Sequence, residues 1–249
     1  MTASQLAAVA ISVLALAISI YGIWERDRDR ERQLRLRLSE LVDALSALTT
    51  EQATFSAENK LTEEVFRSFN RRRSVLCDEA STLLKETRIE ANSQQLLQLG
   101  LSNARLGNIE PARELFRCAT ENVPCSSTAH ILALREYAYA LFFVFGDVED
   151  GRDYFLQALG AAGGRDDDGT VLSLIEVRLL WARAEAEVRR TPDMERSRLL
   201  ISEAEATISA IRTVPLLRAA TRLVRDARAV YDDLAIYHAG LSVNATQRE

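Results

Sequence analysis

The sequence predicts an all-α chain: an N-terminal transmembrane helix, a charged helical neck, and an α-solenoid of helix pairs closed by a C-terminal capping helix. Three observations carry that expectation. Glycine (10) and proline (4) are scarce among 249 residues, which suits long helices. The first 24 residues carry no charged side chain, while Glu25 to Arg32 are all charged. From residue 93 onward, three short turns occupy equivalent places between amphipathic stretches. With 47% hydrophobic and 27% charged residues the chain has the apolar material for a core, so wholesale disorder is excluded. The expected organisation is an anchor at 1–24, a neck with a short heptad and linker at 25–60, a helical-repeat domain at 61–241 and a tail at 242–249.

The anchor is read from Gln5 to Trp24, whose polar side chains are Gln5, Ser12, Ser19 and Tyr21 alone. Twenty helical residues rise about 30 Å, the thickness of a bilayer core. Tyr21 and Trp24 stand where an interfacial aromatic belt sits. A cleaved signal peptide would carry a basic start and a shorter apolar run, but the first basic residue is Arg26. Basic residues near the ends set orientation: none precedes the span, whereas Arg26, Arg28, Arg30, Arg32, Arg35 and Arg37 follow it. The expectation is a single pass through an inner or plasma membrane, N-terminus out, with the bulk cytoplasmic. The interleaved acids leave the segment nearly neutral, against a polybasic lipid-binding patch.

Beyond the membrane, Leu34, Leu38, Leu41, Leu45 and Leu48 recur at spacings of 4, 3, 4 and 3, an a/d seam along one helix face. The seam serves either self-association, giving a homo-oligomer through residues 34–48, or docking on following helices. After the polar run TTEQATFSAENK, a helical pattern resumes over Leu61 to Glu86.

In the clearest repeat unit, Ser93 to Pro124, Leu96, Leu99 and Gly100 share one helix face, Gly107-Asn108-Ile109 makes the turn, and Ala112, Phe116 and Ala119 line the second helix. Small Gly100 and Ala112 allow close approach, Phe116 fills the space between the helices, Asn108 stands at the cap position, and Pro111 lies in the first turn, where its missing N–H costs nothing. These residues resemble the tetratricopeptide repeat, whose 34-residue helix-turn-helix runs Trp-x2-Leu-Gly-x2-Tyr, then Ala, Phe, Ala and Pro. Leu96 stands for the Trp and Asn103 for the Tyr; Leu99, Gly100, Ala112, Phe116, Ala119 and Pro124 match. A second, degenerate copy aligns on Gly146-Asp147-Val148 with Gly151, Phe155 and Ala158. A third aligns Trp181, then Ala184-Glu185 in place of Leu-Gly, and Ser197, Ile201 and Ala204 after Thr191-Pro192-Asp193. The resemblance spans about residues 93–208. Turn spacings of 39 and 46 residues exceed the family's 34, so another helix-pair repeat or an irregular solenoid stays open. Pro215 to Leu241 reads as the capping helix.

The resemblance implies that first helices line a groove for an apolar peptide or helix of a protein partner. The family's groove positions fall on Gln94, Leu97, Leu101 and Arg105 in the first copy, Glu136 and Phe143 in the second, and Arg189 and Arg190 in the third. The groove is either open or filled by the chain's own 61–86 helix.

No other chemistry is nominated. A net charge of −5 and a pI near 5.3 argue against nucleic-acid binding. His130 and His238 are too few for a triad or metal site, and Cys77, Cys118 and Cys125 lack Cys-x-x-Cys spacing and read as reduced thiols. Gly160 to Arg165 lacks the Gly-Lys-Ser/Thr of a phosphate loop, and Asp166-Asp167-Asp168-Gly169 lacks calcium-loop spacing, reading instead as a turn into a helix cap at Thr170. The expected function is a non-catalytic, cofactor-free membrane-anchored scaffold that recruits a protein; the alternative is a structural subunit that assembles through its anchor and neck into a larger membrane complex.

Overall fold

A computed structural model describes the backbone of residues 3–87, 90–122, 128–188 and 192–246, and the side chains of residues 21–85, 90–122, 128–188 and 192–238. Among the described residues every regular element is helical, in two compact units, Met1–Ala91 and Asn92–Glu249.

The first unit is a hairpin of α1 (Ala3–Ala57) and α2 (Glu63–Thr87). Asn59, in the left-handed region at φ 55°, turns the chain, and Lys60 N–H donates to the Phe55 carbonyl at 2.8 Å. The helices run antiparallel: Arg37 donates to Glu79, Arg73 to Gln52, and the rings of Phe55 and Phe69 meet edge to face at 5.7 Å. The leucine seam is buried within this hairpin. Leu38, Leu41, Leu45 and Leu48 are no more than 2% exposed, and α2 supplies the stripe Phe69, Arg73, Cys77 and Ala80. Four leucines at about 1.5–3 kcal/mol each form the hairpin's main apolar stabilisation. Nearer the N-terminus, residues 23–33 of α1 are exposed.

Among the described residues no helix is long and apolar enough to cross a membrane. The expected span at residues 5–24 belongs to α1, but the side chains of residues 5–20 lie outside the described ones; Tyr21 and Trp24 are exposed, with Arg28 over the Trp24 ring.

The second unit holds three helix pairs and a long final helix: α3 (Ser93–Arg105) with α4 (Ile109–Glu121), α5 (Thr128–Ala140) with α6 (Val148–Gly160), α7 (Asp168–Glu187) with α8 (Met194–Thr207), then α9 (Val214–Thr246). Each first helix also touches the next first helix, so α3, α5, α7 and α9 lie side by side. Gly107 and Gly146, at φ 80° and 74°, make the first two turns, a conformation that side chains disfavour. The small and aromatic positions read from the sequence are all in the core: Ala112, Phe116, Ala119, Phe155, Ala158, Trp181, Ala184, Ile201 and Ala204 are at most 4% exposed. The pairs join by a repeated contact. Phe116 stacks on Tyr137 at 5.7 Å with planes 5° apart, and Phe155 stacks on Trp181 at 5.5 Å and 8°.

Local details differ from the sequence reading. Asn108 occupies the N-cap of α4, but its amide donates to Asn103 Oδ1 at 3.1 Å instead of capping. The cap of α7 is Asp167, which accepts from Thr170 N at 2.9 Å; Thr170 is buried three residues inside the helix. The projected groove position Phe143 falls beyond the end of α5, in a π-helical turn, Leu141–Phe145, that exposes it. Helix α2 pairs with α1, and the helix pairs begin at Asn92.

Candidate partner-binding cleft

The side-by-side first helices form a wall, and α9 turns it into a cleft. α9 has two apolar stripes. One, Leu216, Leu217, Ala220, Val224, Ala227 and Tyr231, packs on the core; the other, Leu223, Val230 and Leu234, faces an open space of about 490 Å³. Asp168, at the start of α7, fixes the near end of α9: its carboxylate accepts from Arg212 N at 3.1 Å, Thr213 N at 2.7 Å and the Thr213 hydroxyl. Further along, His238 Nε2 lies 3.1 Å from the Ala186 carbonyl at the end of α7.

The opposite wall comes from α5, α7 and α8. Leu179, Leu180, Ala182, Ala186 and Ile201 make its apolar surface, and Arg135, Glu136, Glu176 and Arg183 its rim. Arg135 is shared between Glu136 at 2.8 Å and Glu176 at 2.6 Å, so one guanidinium ties α5 to α7 and holds both rim acids in place. Arg183 donates to Glu187, which favours its charged form. Burial raises the Tyr139 phenol above its ordinary value; its ring meets that of Phe143 at 4.6 Å. An apolar floor with a rim of both charge signs suits an amphipathic helix or peptide. A larger hollow of about 960 Å³ flanks α8, but seven of its fifteen lining residues are charged, against five of sixteen in the cleft.

Behind the cleft sits a buried ionic node. Glu185, 1% exposed, accepts from Arg152 Nε and Nη2 of α6 at 2.8 and 2.7 Å and from Trp181 Nε1 at 2.8 Å. Arg196 of α8 lies over the Trp181 ring at 4.6 Å. This set pins the second pair to the third with its donors and acceptors matched, which is what permits a carboxylate at a core position. Among the described residues no cluster of His, Cys, Asp and Glu is arranged to hold a metal ion. Burial pushes the Cys77 thiol up to about 11, which keeps it in the unreactive thiol form.

The positions projected from the sequence are distributed as follows. Glu136 lines the cleft. Gln94 is exposed on α3, Leu97 is buried at 5%, and Leu101 is half-buried. Arg105 is at the end of α3, where burial lowers its pKa. Phe143 is 39% exposed in the π-helical turn. Arg189 and Arg190 lie outside the described residues. The α9 wall was missed in the sequence, although Leu223, Val230 and Leu234 at spacings of 7 and 4 are its signal. Comparison of the chain with protein-family models, with curated proteins and with solved structures finds no match.

Proposed function

We propose that the protein is a single-pass membrane scaffold, without catalysis of its own, whose tetratricopeptide-like helical-repeat unit holds a helix or peptide of a partner protein at the cytoplasmic face. The observation that carries the reading is the open cleft between α7 and α9. A final helix that only closed a core would not present Leu223 and Val230, 38% and 44% exposed, across an apolar floor. The repeat reading is supported by three successive helix pairs, by neighbouring first helices and by the recurring ring stack between pairs. The anchor reading rests on the charge-free stretch and on the arginines that follow it. The neck then acts as a spacer: the exposed residues 23–33 of α1 span about 16 Å at about 1.5 Å per residue.

The test substitutes the α7 wall. Leu180→Asp, at the half-buried edge of the core, together with Arg183→Glu on the exposed rim should reduce the partner retained on purified membranes at least tenfold, measured by quantitative mass spectrometry. Unchanged retention with an unchanged circular dichroism spectrum would remove the cleft as the binding surface.

A further inference from the structure

The leucine seam of the neck is covered by α2, but one face of α9 has no cover among the described residues of its unit. Running along it are Arg218, Arg222, Arg225, Asp226, Ala229, Val230, Asp232, Asp233, Ile236 and Tyr237, every one exposed, with Ala219 half-exposed beside Arg218. Ile236 and Tyr237 are 73% and 61% exposed, a surface that a water-facing helix has no need to present. The charges on this face are segregated. The N-terminal half is basic through Arg218, Arg222 and Arg225, and acids follow at Asp226, Asp232 and Asp233.

Positions 219, 222, 226, 229, 233 and 236 recur at spacings of 3, 4, 3, 4 and 3, the repeat of a helix–helix seam. Reversed against itself, that seam is self-complementary: Ala219 faces Ile236, Arg222 faces Asp233, and Asp226 faces Ala229. Small residues meet large or polar ones, and each opposite-charge pair occurs twice about a twofold axis near residues 227 and 228. A parallel arrangement would instead stack arginine on arginine and aspartate on aspartate. The charge order therefore selects both a partner and a direction.

We infer that two copies of the chain associate through antiparallel pairing of their α9 helices along the Ala219–Ile236 face. The Arg222–Asp233 ion pair, made twice, is exposed, weak and screened by salt, so the contact is reversible and salt-sensitive. Anchoring both copies in one membrane raises their effective concentration and makes such a contact useful. The face lies beside the cleft and shares Asp226 and Val230 with it, whereas Arg222 and Asp233 are absent from the cleft lining.

The test uses the full chain in detergent, with mass measured by light scattering at micromolar concentration. The wild-type protein should have the mass of two copies at low salt, and its association constant should fall at least tenfold between 50 and 500 mM salt. Arg222→Asp should give single copies, and adding Asp233→Arg to the same chain should restore the pair. Unaltered circular dichroism in both variants separates loss of pairing from loss of folding. A mass that Arg222→Asp leaves unchanged, or a double variant that stays single, overturns the proposal.

Discussion

The node at Glu185 gives the most exacting test of how the helix pairs are joined. Replacing Glu185 with Ala removes three hydrogen bonds at once and leaves the Arg152 guanidinium and the Trp181 N–H without their acceptor. Breaking a buried pair by removing one partner costs about 3–5 kcal/mol. The lower end applies, because the Arg152 side chain is 21% exposed and keeps Glu149 at 2.7 Å. About 3 kcal/mol corresponds to a fall in Tm of roughly 6–12 °C for a unit of this size. The sequence has two tryptophans, so in a Trp24→Phe background the fluorescence of Trp181 reports urea unfolding of the second unit alone. Arg152→Ala should cost at least as much, since it strands a carboxylate that is 1% exposed. Because the two side chains act as one unit, the double variant should lose at least 1 kcal/mol less than the sum of the single losses. Additive losses, or a loss under 1 kcal/mol for Glu185→Ala, would refute the assignment of Glu185 as the pin between pairs.

Four further outcomes follow from the same geometry. Gly151→Ala places a Cβ 2.4 Å from the Phe142 ring, which is itself packed on Phe155, and should destabilise by about 1–3 kcal/mol in urea unfolding. Gly100→Ala meets Phe116 only at 3.2 Å and regains up to about 1 kcal/mol of helix propensity, so its effect should be much smaller. Hydrogen bonds, first from the Thr213 hydroxyl and then from Arg212 N–H, hold the Asp168 carboxyl below its ordinary value of 3.8. A depressed carboxylate contributes stability that is complete above its unfolded pKa and is lost as pH falls through the folded one, so Asp168→Asn should flatten the acid limb of the stability profile below about pH 4. Native protein treated with maleimide at pH 7 should be unmodified at Cys77 and become labelled there only once the hairpin is opened, as read by mass mapping.

The elements were more legible than their partnerships. Turn glycines, small–aromatic–small triplets and the long final helix all follow from local spacing, and each has a mechanical reason visible in three or four neighbouring residues. The fate of Leu38 to Leu48 was not legible in this way. An a/d stripe states that a face will be buried and leaves the covering element open; α2 settles it through Phe69, Cys77 and Ala80. Glu185 stands where the repeat pattern that the sequence resembles has Gly. Its meaning lies in Arg152, 33 residues earlier, and no spacing rule links the two. The cleft escaped for a related reason: Leu223, Val230 and Leu234 are ordinary members of an apolar helix until Leu216, Ala220 and Val224 are seen to take the core-facing side.

Site-specific crosslinking at the membrane tests the central claim most directly. A photoreactive side chain placed at Leu180, on the cleft wall, or at Leu156, exposed on α6, is activated in membranes carrying the full-length chain. The account predicts a discrete adduct with a second protein from position 180 and none from position 156. Equal labelling at both positions, or no protein adduct at 180, would contradict it.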